Sequence, residues 1–340
     1  MIPHSRTLFD SACITAVSRV VESGHTARGP LNDSLEQRVA GLTDSRHAAA
    51  VDSGSSALML AIYALKQRGS VNRVGIPAYA CRALLHAVRA CGAAPVFMDC
   101  GEDLRLDAGH AEALSGGLDA VILVHPFGMI EPLVAESWPC PVIEDIAQAA
   151  GGSFRDEPLG GFGDIGIASF YATKPWGGAY GGMLLSDDAS FIEQARGMRH
   201  ADTAGVDLPY AGNHQLSDVH AALALARLDV ADNERNGRRT LVARFDQCLK
   251  GLEAVPVACG EGANHYRYIV RVSDAGRAVE ALRACGVGAA RPVDVPLSRL
   301  LGEQCKGAET ALQECVSLPL LPNMSDEEQE TVLQAMTTCL

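Results

Sequence analysis

Short apolar runs recur along the first half of the chain, separated by stretches with helical spacing, and this alternation restricts the fold more than any other feature. Arg73-Val-Gly-Ile-Pro77, Ala94-Pro-Val-Phe-Met98, Asp119 to His125 and Cys140-Pro-Val-Ile143 each read as a strand. Helix-compatible segments lie between them, Cys81 to Cys91 being one. Runs of this kind belong to mostly parallel sheets covered by helices on both faces. An α/β core is therefore predicted. Ligands of such sheets lie beyond the carboxyl ends of the strands, where His125, Glu144 and Asp145 fall.

At 340 residues and 48% hydrophobic content the chain buries a large core and is long enough for about two domains. Pro30 to Ala40 is predicted as a helix with Asn32 or Asp33 as N-cap. A long helical region from Leu216 towards Leu252 leads into a strand (Tyr266 to Val272), a helix (Ala275 to Cys285) and a last helix opened by the capping box Ser325-Asp-Glu-Glu328. The expectation is a large domain over residues 1–230 and a small α+β C-terminal domain over 231–340. A net charge of −13 without a basic run argues against nucleic acid as a partner. The first residues lack a signal-peptide core and no stretch approaches the ~20 apolar residues of a membrane span, so a cytoplasmic protein is expected. The eleven cysteines are scattered without a CxxC pair and read as small buried hydrophobes rather than as zinc ligands or disulfides.

The chemistry concentrates between Pro141 and Met183. Lys174 follows the apolar Ile167-Ala-Ser-Phe-Tyr-Ala172 and precedes a cluster of glycines that lets a planar ligand approach the backbone. A lysine amine in a dry pocket forms a Schiff base with an aldehyde. Asp145, after a buried strand, needs a partner, and a carboxylate facing a pyridine nitrogen keeps that nitrogen protonated. Gln148 is one helical turn on. Ser169 precedes Lys174, and Ser55 and Ser56 open the apolar helical run Ala57 to Leu65, where free N–H groups make a phosphate seat. Taken singly, each has an ordinary explanation: a solvated loop lysine, an internal salt bridge, a serine N-cap. Together they describe one cofactor, pyridoxal 5'-phosphate (PLP), held at its aldehyde, ring nitrogen and phosphate. Gly161-Phe-Gly-Asp-Ile-Gly166 has dinucleotide-site spacing, but a strand pattern follows it where that motif needs a helix.

With these motifs in order, the chain resembles the DegT/DnrJ/EryC1/StrS family of PLP-dependent sugar aminotransferases over nearly its whole length. The resemblance is carried by Gly29 to Leu42, Ser53 to Leu58, Ile76 to Asp99, Val121 to Gly128, Val142 to Gly152, Gly163 to Met183, Gly212 to Leu223 and Ser317 to Gln329. It implies the fold type I, aspartate-aminotransferase-like architecture, with a mixed, mostly parallel seven-stranded sheet in the large domain. It also implies a homodimer with shared active sites. The lysine matching Lys174 forms the internal aldimine, the acid matching Asp145 pairs with the pyridine nitrogen, and the glutamine matching Gln148 contacts the ring oxygen. Residues matching Ser55, Ser56 and Ser169 hold the phosphate, and Asn213 matches an asparagine that reaches into the neighbouring subunit's site. Two departures stand out. Cys81, with Tyr79 two residues earlier, occupies the segment that usually supplies an aromatic ring stacked on the cofactor, and Gln215 replaces a usual arginine. The expected function is transfer of an amino group from an amino-acid donor such as glutamate to a keto substrate, a nucleotide-linked keto sugar. A PLP lyase or dehydratase is the alternative, although dehydratase-type members carry histidine at the lysine position. A non-catalytic regulator on the same fold is the third reading.

Overall fold

A computed structural model of the chain describes residues 1–200, 208 and 210–340. Its centre is a seven-stranded sheet of β1 (His47–Val51), β2 (Arg73–Pro77), β3 (Ala94–Met98), β4 (Ala120–Val124), β5 (Val142–Asp145), β8 (Ile165–Ser169) and β9 (Gly182–Ser186), in the order β1-β9-β8-β5-β4-β2-β3. Only β9 runs against its neighbours, pairing antiparallel with β1 and with β8. A short hairpin, β6 (Ser153–Phe154) and β7 (Glu157–Pro158), lies between β5 and β8 in sequence. The mostly parallel sheet expected from the alternating runs is observed, in the mixed, seven-stranded form that the family resemblance implies.

Helices cover both faces. α3 (Gly54–Lys66) is apolar nearly all round, and all but four of its thirteen residues are buried, as a helix without a polar face must be. It packs with α4 (Arg82–Ala90) and the sheet in one apolar cluster, while α2 (Pro30–Leu42) and α7 (Asp218–Leu228) belong to a cluster on the other face. α1 (Ser11–Ser23) lies against α7, α5 (Ala108–Ser115) beside β3, and α6 (Ala189–Met198) against α3. The C-terminal part forms an antiparallel sheet of β10 (Val255–Pro256), β11 (Tyr268–Arg271) and β12 (Cys315–Leu318). Around it stand α8 (Ala231–Leu249), α9 (Ala275–Ala284), α10 (Lys306–Glu314) and α11 (Asp326–Cys339), and the sheet, α8, α9 and α11 share a separate apolar cluster. Ile2 joins that cluster and bridges to Val287, so the first residues lie with the C-terminal sheet.

Three local expectations are corrected. α2 begins at Pro30 with Gly29 as N-cap, and neither Asn32 nor Asp33 caps it. Its free N–H groups are taken by the Asp218 carboxylate of α7, which accepts from Gly29, Leu31 and Asn32 at 2.9, 3.2 and 3.1 Å. A side chain nearly two hundred positions away supplies the cap. The helical region after Leu216 divides at Asp229 and Val230 into α7 and α8, and Arg227 spans the joint by donating twice to Glu234, at 2.6 and 2.7 Å. β11 starts at Tyr268 rather than Tyr266, because Tyr266 and Arg267 turn to other partners described below. The capping box of α11 is present as read.

Candidate active site

The parallel strands β2, β4, β5 and β8 end along one edge, and parallel pairing of Val124 with Asp145 places the acid there. A cavity of about 640 Å³ opens at this edge. Its walls include Ser55, Tyr79, Cys81, Asp145, Gln148 and Lys174, so residues far apart in sequence converge on one space.

Glu144 and Asp145 are consecutive on β5, and both are buried. Glu144 accepts from His125 Nε2 at 3.1 Å and from the N–H groups of Gly160, Phe162 and Gly163 at 2.8, 2.8 and 3.3 Å. Nδ1 of His125 accepts from the Glu131 N–H at 2.9 Å, which leaves Nε2 as the protonated nitrogen that donates to Glu144. The glycine-rich stretch that mimics a dinucleotide motif is therefore an anchor for a buried carboxylate. Asp145 differs. Among the described residues its side chain accepts only from the Ala147 N–H, at 2.8 Å. Burial pushes its carboxyl above the usual range, and the Ala147 N–H with the Lys174 charge offsets this only in part.

Lys174 lies in the connection from β8 to β9, held by its N–H to Tyr171 O and by Gly177 N–H to its own carbonyl, both at 2.8 Å. Only glycine fits at 177, because a Cβ there would stand 2.4 Å from Tyr171 O and 2.8 Å from Ala172 O. The turn that presents the lysine depends on this glycine. The lysine Nζ lies 5.3 Å from the ring centroid of Tyr266.

Ser53, not Ser55 or Ser56, caps α3: its Oγ accepts from Ser56 N–H at 3.1 Å and lies 2.9 Å from Ser56 Oγ. Ser56 is thereby engaged behind the cavity wall, while Ser53, Gly54 and Ser55 face the cavity at the helix N-terminus. The first N–H groups of a helix have no intrahelical acceptor and are free for an anion. Ser169 is packed against Gly54, its Oγ 3.2 Å from where a Cβ would stand. Gln148 accepts from the Phe127 N–H at 2.7 Å, leaving its amide nitrogen to donate. Tyr79 is buried, edge-on to Phe127 at 6.2 Å. Cys81, exposed, is the N-cap position of α4 and makes no side-chain capping bond. Asn213 is exposed and does not line the cavity of its own chain.

These features fit PLP. A buried carboxylate with one donor suits a pyridine N–H, the α3 N-terminus with Ser169 suits a phosphate, and a lysine stands in the same cavity. Tyr266 is one lining residue that the motifs did not reveal, because it comes from the C-terminal sheet region and matched only a strand pattern.

Comparison with known proteins agrees. The sequence profile of the DegT/DnrJ/EryC1/StrS aminotransferase family matches residues 9–337. The chain is 28% identical over 339 residues to the UDP-N-acetyl-3-dehydro-α-D-glucosamine 3-aminotransferase of Acidithiobacillus ferrooxidans, a match spanning 93% of this chain and 90% of that protein. The solved structure of the aminotransferase TlmJ from Streptoalloteichus hindustanus is similar with a TM-score of 0.93 and 28% identity, over 99% of this chain and 98% of that one. PseC of Helicobacter pylori, at 20% identity and a TM-score of 0.91 over 99% of this chain and 98% of its own, shows the same fold. The chain belongs to the DegT/DnrJ/EryC1/StrS aminotransferase family and is a PLP-dependent transaminase of fold type I.

Proposed function

We propose that the enzyme moves an amino group from an amino-acid donor, glutamate, to a nucleotide-linked keto sugar. The observation that carries this reading is the convergence of Lys174, Asp145 and the α3 N-terminus on one cavity. When bound, PLP supplies an aldehyde for amine exchange and a ring that withdraws electrons from the donor's Cα. Asp145 holds the proton on the ring nitrogen, Gln148 donates to the ring oxygen, and Ser55, Ser169 and the first N–H groups of α3 hold the phosphate. Lys174 binds the cofactor at rest. Once freed by the donor amine, its Nζ carries the proton from the donor's Cα, across the nitrogen, to what was the cofactor's aldehyde carbon, the 1,3-shift that leaves the amine on the cofactor.

The nucleotide-linked acceptor is supported by the Acidithiobacillus relative, named for a UDP-sugar substrate. Arg82 adds to this. It lines the cavity, is exposed and makes no ion pair among the described residues, so its fork is available for a diphosphate. Asn213 and the exposed Tyr171 and Tyr180 near the lysine favour a homodimer in which each chain completes its partner's site. A division near residue 230, between α7 and α8, separates a cofactor-binding part from a smaller C-terminal one, and a cytoplasmic location belongs to the same reading.

The test is a half-reaction. Glutamate added to the PLP-loaded enzyme should convert the cofactor to its amine form, and a keto-sugar nucleotide should restore the original absorbance. Product loss or elimination without amine exchange would favour the lyase reading instead. Mixing chains carrying Lys174→Ala with chains carrying Asn213→Ala should regain part of the activity if sites are shared.

A further inference from the structure

One wall of the cavity comes from the C-terminal sheet region. Tyr266 stands two residues before β11, is 8% exposed and lines the same cavity as Lys174. The lysine Nζ, 5.3 Å from its ring centroid, is within the range over which a cation is drawn to an aromatic face. Thr173 Oγ1 lies 3.5 Å from the phenol oxygen, so the turn that carries the lysine meets the tyrosine a second time. The Arg267 guanidinium lies over the same ring at 4.2 Å, and its Nη2 donates to the phenol oxygen at 2.9 Å.

Arg267 is short of acids. Its other bonds go to His4 O at 3.0 Å and Ser5 Oγ at 2.8 Å, both neutral, and no carboxylate is within ion-pair distance of it among the described residues. Arg238 of α8 stands nearby, buried, donating to Asn264 O at 3.1 Å. The charged groups around the phenol are therefore Lys174 from the β8–β9 connection, Arg267 beside it and Arg238 from α8, with His265 adjacent in sequence. Asp145 is the acid that Lys174 feels across the cavity. A partly buried cation without a counter-charge is costly, and the phenol is the one acidic group Arg267 touches. Burial works to raise the phenol's pKa, but the Lys174 and Arg267 charges and the bonds from Thr173 and Arg267 outweigh it and leave it below its usual value.

The tyrosine is also held rigidly. A Cβ at Gly128 would stand 2.3 Å from Tyr266 N and 2.9 Å from its Cβ, so the loop after β4 presses directly on this backbone. Arg267 N–H donates to Phe127 O at 3.0 Å, and Phe127 N–H donates to Gln148, which ties Tyr266 to a proposed cofactor contact.

We propose that Tyr266 is the positioning residue of Lys174: its ring seats the lysine Nζ, and its hydroxyl releases its proton to solvent ahead of the other tyrosines as pH rises, the phenolate then serving as counter-charge of Lys174 and Arg267. This rests on Lys174 as the cofactor's lysine. Its first readout, however, needs no cofactor, so failure of one idea is distinct from failure of the other.

The experiment is a spectroscopic titration of the full chain without added PLP, following the near-ultraviolet tyrosinate band. One tyrosine of the seven should ionise ahead of the rest, and Tyr266→Phe should remove that early step. Arg267→Gln, which keeps the tyrosine, should move the step to higher pH. In the PLP-loaded chain, borohydride trapping followed by mass measurement of the Lys174 peptide reports attachment. Tyr266→Phe should slow it about tenfold near neutral pH and alter its pH profile. An unchanged early step in Tyr266→Phe, or no displacement in Arg267→Gln, would overturn the proposal. If Tyr266→Phe does not fold, the Arg267→Gln titration decides alone.

Discussion

Glu144 and Asp145 are neighbours on one strand, both buried, yet their surroundings are opposite. Glu144 has four donors from His125 and the Gly160–Gly163 loop, whereas Asp145 has one. Successive side chains of a strand point to opposite faces of the sheet, so one step along the chain separates a carboxylate closed within the protein from one left for a ligand. Burial alone does not mark function. A buried acid whose lone pairs the protein itself has not filled does.

The largest effect is expected at the closed carboxylate. Glu144→Leu strands the His125 Nε2–H and three backbone N–H groups without acceptors, and should cost about 3–5 kcal/mol in denaturant unfolding. Should it cost less than about 1 kcal/mol, comparable to an exposed site, the contrast with Asp145 is lost. Asp145→Asn should do the reverse: transaminase turnover should fall by about a hundredfold or more, because an amide does not hold the pyridine proton, while the cofactor-free chain melts no lower than the parent.

The pH dependence sharpens the same contrast. The Asp145 carboxyl is raised in the folded, cofactor-free chain, so its protonated form is the one folding favours. Its contribution to stability is then full below the unfolded value of about 3.9 and is lost as pH rises through the raised folded value. The stability difference between parent and Asp145→Asn should follow this course and diminish once PLP is bound. A difference that is flat across that window would mean the carboxyl is already satisfied.

Much of this was readable beforehand, and the parts that were not share a cause. Apolar runs marked β2, β3, β4 and β5 because strand burial is written in consecutive residues. Lys174, Asp145 and Gln148 were visible because they lie at or just beyond the ends of such strands, where a parallel sheet exposes its ligand edge. The α2 cap was invisible because Asp218 supplies it from another helix. Tyr266 was invisible for the same reason: its role arises from Lys174, Arg267 and Thr173, which only the fold assembles around it. The short α10 and β12 carry too few residues for their period to stand out.

The smallest effect concerns Gln148, intermediate between the two acids. One of its amide atoms is already engaged, accepting from the Phe127 N–H at 2.7 Å and so steadying a residue whose φ of 56° is in the left-handed region. The other is free for the cofactor. Gln148→Ala removes the bond from Phe127 N–H and, on the proposed assignment, one to the ring oxygen; a neutral hydrogen bond contributes about 1 kcal/mol, so PLP affinity measured by absorbance titration should weaken about fivefold. Gln148→Glu keeps the acceptor for Phe127 but loses the donor, and should weaken PLP binding while leaving the melting temperature in place. Equal losses in both variants would assign the residue to the ligand; a loss in Gln148→Ala alone would assign it to the loop, and would place Gln148 with Glu144 rather than with Asp145.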